Sequence, residues 1–358
     1  MVKRVAFAVP GDLATPTGGY AYDRRMIAEL QKLGWRVDVI GLGDGFPRPS
    51  AETKAAARET LSGVPKDCPI IIDGLAFGVL PEAAKELSER NPLIALVHHP
   101  LALETGLAPA DAQALRTSEY DALAAARAVV ASSPSTSQIL IDDYDVPPGI
   151  ITIACPGTDP GVMAKGSGDG IVRLLSIGSV VPRKGYDVLV AALAPLASLP
   201  WRLTIAGDRT RDAAASAQLD AEIENHKLAG RIDVLGALPD ARIAELYVGA
   251  DLFVLPSRFE GYGMVFAEAL AHGLPVVGTT AGAIPDTVPP NAGVLVEPND
   301  VKALTRTLRM LIENPKERQW FAAGAREAGA ALPRWEEQAR LLAEAIEALP
   351  EGLPEGLT

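Results

Sequence analysis

Short apolar, β-branched runs alternate with Ala/Leu/Glu-rich segments along this chain, and they do so twice over. In the first half the runs are Arg4–Val9, Arg36–Gly41, Ile70–Asp73, Leu93–Val97, Ala128–Ala131 and Ile151–Ile153. In the second they are Leu174–Ile177, Leu203–Ala206, Ile232–Leu235, Leu252–Leu255, Pro275–Gly278 and Val294–Val296. Runs this short and this apolar suit strands covered on both faces, and the intervening segments are long enough to be crossover helices. Parallel strands with helical crossovers predict doubly wound α/β sheets. At 358 residues the chain exceeds one comfortable core and suits two domains. The expected fold class is therefore α/β, with two Rossmann-like doubly wound parallel-sheet domains facing across a cleft.

Between the halves, CPGTDPGVMAKGSGDG at residues 155–170 is too rich in Gly, Pro, Ser and Asp to hold either periodicity and reads as a linker. The expected domains are 1–166, on the acceptor side, and 167–334, on the donor side. Residues 335–358 form a C-terminal helix and tail expected to pack back toward the N-terminal domain. In Trp335–Leu349 the residues Leu341, Leu342, Ala345, Ile346 and Leu349 are expected on one apolar face, while the PEGLPEGLT tail is expected to fray. Ligands of open α/β sheets bind beyond the carboxyl ends of the strands, so the loops that follow strands are where function is sought.

Charge and cysteine usage remove several classes. A formal charge of −12 provides no general attraction to nucleic acid. The basic residues Arg24, Arg25, Lys32 and Arg36, expected along the first helix, suit a solvated face and allow at most peripheral membrane contact. The two cysteines, Cys68 and Cys155, form no metal-type or disulfide framework. The apolar run near the N-terminus stops at Pro10, short for a signal-peptide core, and nothing approaches the roughly twenty apolar residues of a membrane span. A cytoplasmic protein is expected.

The most informative stretch is LFVLPSRFEGYGMVFAEALAHGLPVVGT, residues 252–279. An apolar strand runs into a loop containing Gly261 and Gly263, and a helix opening near Met264 follows. Glycines let the backbone approach a ligand, and a helix N-terminus presents unpaired N–H groups to an anion such as a diphosphate. With a helix starting near Tyr262, Glu268 would fall about two turns in and Glu260 would precede it. A carboxylate accepts hydrogen bonds from vicinal hydroxyls, as on a ribose.

The string P-S-x-x-E-G-x-G-x-x-x-x-E-A-L-A-x-G-x-P-V-V resembles the signature of the retaining glycosyltransferases of family 4, whose fold is termed GT-B. The resemblance implies a metal-independent enzyme, with no cofactor, that moves a hexose-like sugar from a nucleoside diphosphate sugar to an acceptor hydroxyl. It implies that Glu260 lies at the transferred sugar and Glu268 at the ribose. The amides of Tyr262, Gly263, Met264 and Val265 would line the sugar and diphosphate, beside Gly261. SIGSVVPRKGYDVLVAAL, residues 176–193, resembles the family's first strand and loop of the donor domain, so Lys184 is expected at the diphosphate. The family arginine would fall at Ser179; Arg183 is the nearby guanidinium. Gly18 and Gly19, expected just before the first helix, match a glycine-rich loop of the family, and His98 matches a histidine that touches the donor sugar. His99 is expected to point the opposite way, and Glu104 follows in the same loop. The acceptor is an unspecified carbohydrate or lipid-linked molecule.

Three look-alikes are set aside. GLGDGF, residues 41–46, leads into prolines rather than a helix, unlike a dinucleotide fingerprint. Asp143-Tyr144-Asp145 precedes Pro147-Pro148 and suits the end of a helix rather than a metal site. Ser132 and Ser133 suit a helix cap rather than a nucleophile. Two other readings of the fold stay open: a sugar-nucleotide epimerase or phosphorylase, and a non-catalytic nucleotide-sugar-binding protein.

Overall fold

The computed structural model describes residues 3–349, so the expectation for the PEGLPEGLT tail lies outside the described residues. The chain forms two units. One contains residues 3–157 and 333–349 of those described, the other Thr158–Leu332.

The first unit is built on a six-stranded parallel sheet of β1 (Arg4–Val9), β2 (Arg36–Gly41), β3 (Ile70–Asp73), β4 (Leu93–Val97), β5 (Ala128–Ala131) and β6 (Ile151–Ile153), in the order β2-β1-β3-β4-β5-β6. Every residue of β3, β4 and β5 is buried, which is why those strands are uninterrupted apolar runs. Edge strand β2 is mostly half-buried or exposed and alternates instead. The helix Gly18–Lys32 returns the chain from β1 to β2, with Thr17 Oγ1 accepting from Tyr20 N at its start. Its buried face carries Tyr22, Met26, Ile27 and Leu30, and also two ionisable carboxylates, Asp23 and Glu29.

The second unit repeats the construction with β7 (Val172–Ile177), β8 (Trp201–Ala206), β9 (Ile232–Val234), β10 (Leu252–Val254), β11 (Val276–Thr279) and β12 (Gly293–Val296), in the order β12-β11-β10-β7-β8-β9 and parallel throughout. Its core gathers Leu174, Leu203, Phe253, Phe266 and Val277 with the apolar faces of the flanking helices.

The order of each sheet reverses direction once, between β1 and β3 in the first unit and between β7 and β10 in the second. Neighbouring crossovers leave to opposite faces there, which opens a crevice at the strands' carboxyl ends. The residues entering those crevices are Asp73 and the loop after β1 in one unit, and the loops after β7 and β10 in the other.

The units part at 157/158, nine residues before the expected 166/167. The intervening segment is fastened to the second unit: Ala164 N donates to His272 O at 2.8 Å, Lys165 N to Val248 O at 2.9 Å and Ser167 N to Asp251 Oδ1 at 3.1 Å. The C-terminal helix Trp335–Glu347 belongs to the first unit, where Gln338 Oε1 accepts from Cys155 N at 2.8 Å. Its buried face is Trp335, Gln338, Ala339, Leu342, Ala343 and Ile346; Leu341, expected inside, is exposed because the helix is rotated to seat Trp335 against Tyr22. Arg36 begins β2 rather than lying on the first helix.

Candidate active site

In the second unit the loops after β7 and β10 hold each other. Arg258 N donates to Arg183 O at 2.7 Å, and Gly185, at φ +69°, passes so close to Pro256 that a Cβ would lie 2.2 Å from the proline carbonyl oxygen. Arg258 adds a bond to Pro182 O, and its Nη2 lies 2.7 Å from Asp187 Oδ2. This clasp brings Lys184, 76 residues away in sequence, and its neighbour Arg183 to Glu260.

Glu260 is buried. Its Oε1 accepts from Lys184 Nζ at 2.6 Å and from Ser257 Oγ at 2.6 Å, and its Oε2 lies 3.0 Å from Arg183 Nη1. Burial pushes the carboxyl pKa upward, but the charges of Lys184 and Arg183 and the bonds from Lys184 and Ser257 outweigh it and hold it at about 2. The turn is fixed from behind: Ala283 N donates to Glu260 O at 2.9 Å, and Thr279 Oγ1 donates to Ser257 O at 2.5 Å. Arg183 also donates to Phe259 O at 2.6 Å. The position of the expected family arginine is Ser179, and the guanidinium that reaches this cluster is that of Arg183.

The helix after this turn begins at Met264, the expected opening, and Gly263 at φ +85° keeps Tyr262 out of it. Glu268 is therefore its fifth residue, about one turn in rather than two. No side chain caps this helix, whereas Thr17, Ser50, Ser133, Asp212 and Asp300 cap theirs. An uncapped N-terminus beside a lysine and an arginine is suited to an anionic ligand. Gly261, Tyr262, Gly263, Met264 and Val265 all lie at this end. Glu268 is partly buried and accepts from Tyr247 Oη at 2.9 Å; burial pushes its pKa up to about 7, and the Tyr247 bond opposes the shift. Tyr247 stacks on His272 with ring centroids 4.8 Å apart.

In the first unit Gly18 and Gly19 are the first two residues of the Gly18–Lys32 helix rather than preceding it, since Thr17 is the cap. Gly19 lies against His98: a Cβ there would be 3.2 Å from His98 Cδ2. His98 Nε2 is 3.3 Å from Asp23 Oδ1 and 3.4 Å from Asp73 Oδ2, and both carboxylates are buried. Burial by itself would lower the His98 pKa, but the two carboxylates raise it to about 10. Asp23 is raised to about 7, by burial first and the charge of Asp73 second. Neither aspartate was among the sequence candidates. The signal was present in a carboxylate on the apolar stripe of a helix and another ending an all-apolar strand. His99 Nε2 is 3.6 Å from Glu104 Oε2.

The look-alikes take structural places. Ser133 Oγ caps the helix Pro134–Tyr144 by accepting from Thr136 N at 3.0 Å, and Asp145 ends that helix at φ +52°. Ser132 Oγ donates to His98 O at 2.8 Å. Of the basic residues on the first helix, Arg25 lies over the Trp335 ring at 5.1 Å and Lys32 pairs with Glu29 at 2.7 Å. A depression of about 620 Å³ among Lys54, Glu82, Gln113 and Asp121 contains none of the sequence candidates. Among the described residues no helix is long and apolar enough to cross a membrane.

The strand-turn-helix around Glu260 lies inside the stretch of the chain that matches a glycosyltransferase family model. Residues 165–328 match the family described as glycosyl transferases group 1, and the second unit carries that domain. The MMP alpha-(1->4)-mannosyltransferase of Mycolicibacterium hassiacum is 28% identical over 314 residues, covering 82% of this chain and 73% of the relative. The D-inositol 3-phosphate glycosyltransferase of Streptosporangium roseum is 31% identical over 235 residues, and the match spans about half of that relative, 54%. Among solved structures, sucrose-phosphate synthase from Thermosynechococcus elongatus superposes with a TM-score of 0.81 at 21% identity, covering 97% of this chain and 99% of the other. HepE of Anabaena, solved with UDP and glucose, gives 0.78 at 19% identity, covering 96% and 99%.

Proposed function

We propose that this protein transfers a hexose-like unit, with retention of anomeric configuration, from a nucleoside diphosphate sugar to a hydroxyl of a carbohydrate or lipid-linked acceptor. The observation that carries the reading is the Lys184–Glu260 pair at the N-terminus of an uncapped helix, at the reversal point of the sheet. An ammonium has three donors. One goes to Glu260, and the ammonium's positive charge lies beside the helix terminus where a phosphate would sit. Arg183 adds a fixed guanidinium, and the helix terminus adds oriented amides. These groups stabilise negative charge as it develops on the departing diphosphate, so this part of the reaction needs no metal.

Glu260 would meet the transferred sugar while its pKa near 2 keeps it ionised and hydrogen-bond accepting. Glu268 would accept from the ribose hydroxyls. His98 is assigned to the donor sugar by the family resemblance. The known binding of UDP by HepE makes UDP-sugars the first donors to try, with GDP- and ADP-sugars beside them.

The test is a thermal-shift and calorimetric screen of these nucleotide sugars against wild type and Glu268→Ala, followed by turnover with acceptors. Stabilisation by one donor, lost in the variant, supports the reading. No stabilisation by any nucleotide sugar overturns it, and donor consumption without an acceptor would convert it to hydrolysis or epimerisation.

A further inference from the structure

We propose that Tyr247 is a positioning residue for nucleotide binding, holding Glu268 toward the ribose, and that His272 and residues 161–164 hold Tyr247 in turn. The inference rests on the donor reading above and adds residues outside the sequence string that carries the family resemblance, which starts at Pro256 and leaves position 272 unspecified.

The two glutamates of the site are held in different ways. Glu260 has an ammonium, a guanidinium and a hydroxyl around it. Glu268 faces charges of its own sign. Burial disfavours its ionised form, and so do Asp240, at the start of the helix Asp240–Gly249, and Asp159, in the segment 158–165. The group that favours the carboxylate is the Tyr247 hydroxyl, which donates to Oε2 at 2.9 Å. Tyr247 is the one buried residue of its helix. Burial first, and the charge of Glu268 second, push its pKa well above the ordinary phenol value, so it acts as a donor. A buried phenol needs an acceptor, and the Val265 carbonyl at 3.3 Å would suffice. The carboxylate is nearer and, once ionised, the stronger acceptor. Glu268 Oε1 accepts no hydrogen bond among the described residues and is left for a ligand.

Tyr247 is itself fixed. The His272 ring stacks on it with centroids 4.8 Å apart and planes 11° from parallel. His272 follows the last residue of the helix that carries Glu268. Its Nδ1 is 2.6 Å from Val162 O, and because a carbonyl only accepts, Nδ1 carries the proton. Its own carbonyl accepts from Ala164 N at 2.8 Å. Gly161 lies against the ring, where a Cβ would be 2.8 Å from His272 Cγ. The segment 161–164 therefore grips both the backbone and the ring of His272. That ring cannot swing away without breaking the Val162 bond, and while it stays the Tyr247 hydroxyl stays at Glu268.

The experiment uses the full chain and reads binding by calorimetry at pH 6, 7 and 8.5. The ligands are whichever of UDP, GDP and ADP wild type takes, and inorganic pyrophosphate, which has no ribose. Loss of a hydrogen bond to a charged group should raise the midpoint of Glu268 ionisation by about one pH unit. Tyr247→Phe should then bind the nucleoside diphosphate about five- to tenfold more weakly at pH 7 and recover most of the difference at pH 8.5. Its affinity for pyrophosphate should equal that of wild type. In a Glu268→Ala background the same substitution should cost nothing further. Should Tyr247→Phe fail to fold, His272→Phe keeps a ring on Tyr247, removes the bond to Val162 O and should displace the pH profile the same way by a smaller amount. A folded Tyr247→Phe with the wild-type profile overturns the inference, as does an equal loss for pyrophosphate, which marks a general distortion of the site. A wild-type profile in His272→Phe overturns the part assigned to His272. Each of these results leaves the donor reading standing; that reading falls if wild type binds none of the three nucleotides, and this inference falls with it.

Discussion

Lys184 Nζ and Glu260 Oε1 are 2.6 Å apart although 76 residues separate them in sequence. Both ends of the pair are largely buried, the Lys184 side chain being 11% exposed. Replacing Lys184 with Met leaves a buried carboxylate supported only by Arg183 and Ser257, and removes a charge from the expected phosphate position. Turnover of the preferred nucleotide sugar should fall by about 10²–10³-fold, and the Tm should drop. Lys184→Arg should recover stability more than turnover, because a planar guanidinium does not reproduce a compact ammonium.

Glu260 also shapes the acid limb of stability. Its folded pKa of about 2 lies below the ordinary glutamate value of 4.5, so its contribution is fully present above pH 4.5 and is lost as pH falls toward 2. Denaturant unfolding between those pH values should show wild type losing stability more steeply than Glu260→Gln, with the two slopes converging above about pH 5. Parallel curves across that range would contradict the ion-pair account.

For Glu268 the sign is reversed. Its pKa is raised from 4.5 to about 7, so the stability linked to its protonated form is complete below pH 4.5 and is lost as pH rises through 7. Glu268→Gln should therefore be more stable than wild type at pH 8 without ligand, by on the order of 1–3 kcal/mol. A ribose donates hydrogen bonds to the ionised form, so nucleotide affinity should rise between pH 6 and 8 in wild type and stay flat in the variant. Calorimetry at three pH values tests both.

Gly282 supports the site without touching a ligand. It adopts φ +58°, and a Cβ would lie 2.2 Å from Glu260 O. Gly282→Ala combines a strained backbone with a clash against the turn that carries Glu260. A loss of stability of about 2–4 kcal/mol is expected, with donor affinity falling more than the Tm shift alone explains. Full donor affinity in a folded variant would show that the turn tolerates displacement.

Much of this was legible in the sequence. Strands such as β3 and β4 could be placed because strands buried on both faces leave unbroken apolar runs, and the Glu260 turn because glycine and proline punctuate it. The opening of its helix near Met264 was legible too, but the depth of Glu268 was not, since the left-handed conformation of Gly263 keeps Tyr262 out of the helix. The linker misled as well: its composition is that of a flexible segment, but its amides find acceptors on the second unit. Asp23 was hidden among the charges of a helix whose other ionisable residues include Arg24, Arg25 and Lys32; only its place on the stripe with Tyr22, Met26 and Leu30 marked it, and His98 gave the stripe its meaning. Ser257 and Tyr247 escaped because hydroxyl partners of carboxylates follow no spacing rule.

The clasp between the loops after β7 and β10 has a bearing on how such enzymes diversify. Because Arg258 N bonds Arg183 O and Gly185 leaves no room over Pro256, each loop is held against the other. Grafting one of them from a relative with a different donor would import half of a lock, whereas the two transplanted together would carry their mutual fit with them. Specificity in this unit is thus inherited in pairs of segments distant in sequence, and recombination that separates residues 178–187 from 256–263 should be the kind that fails.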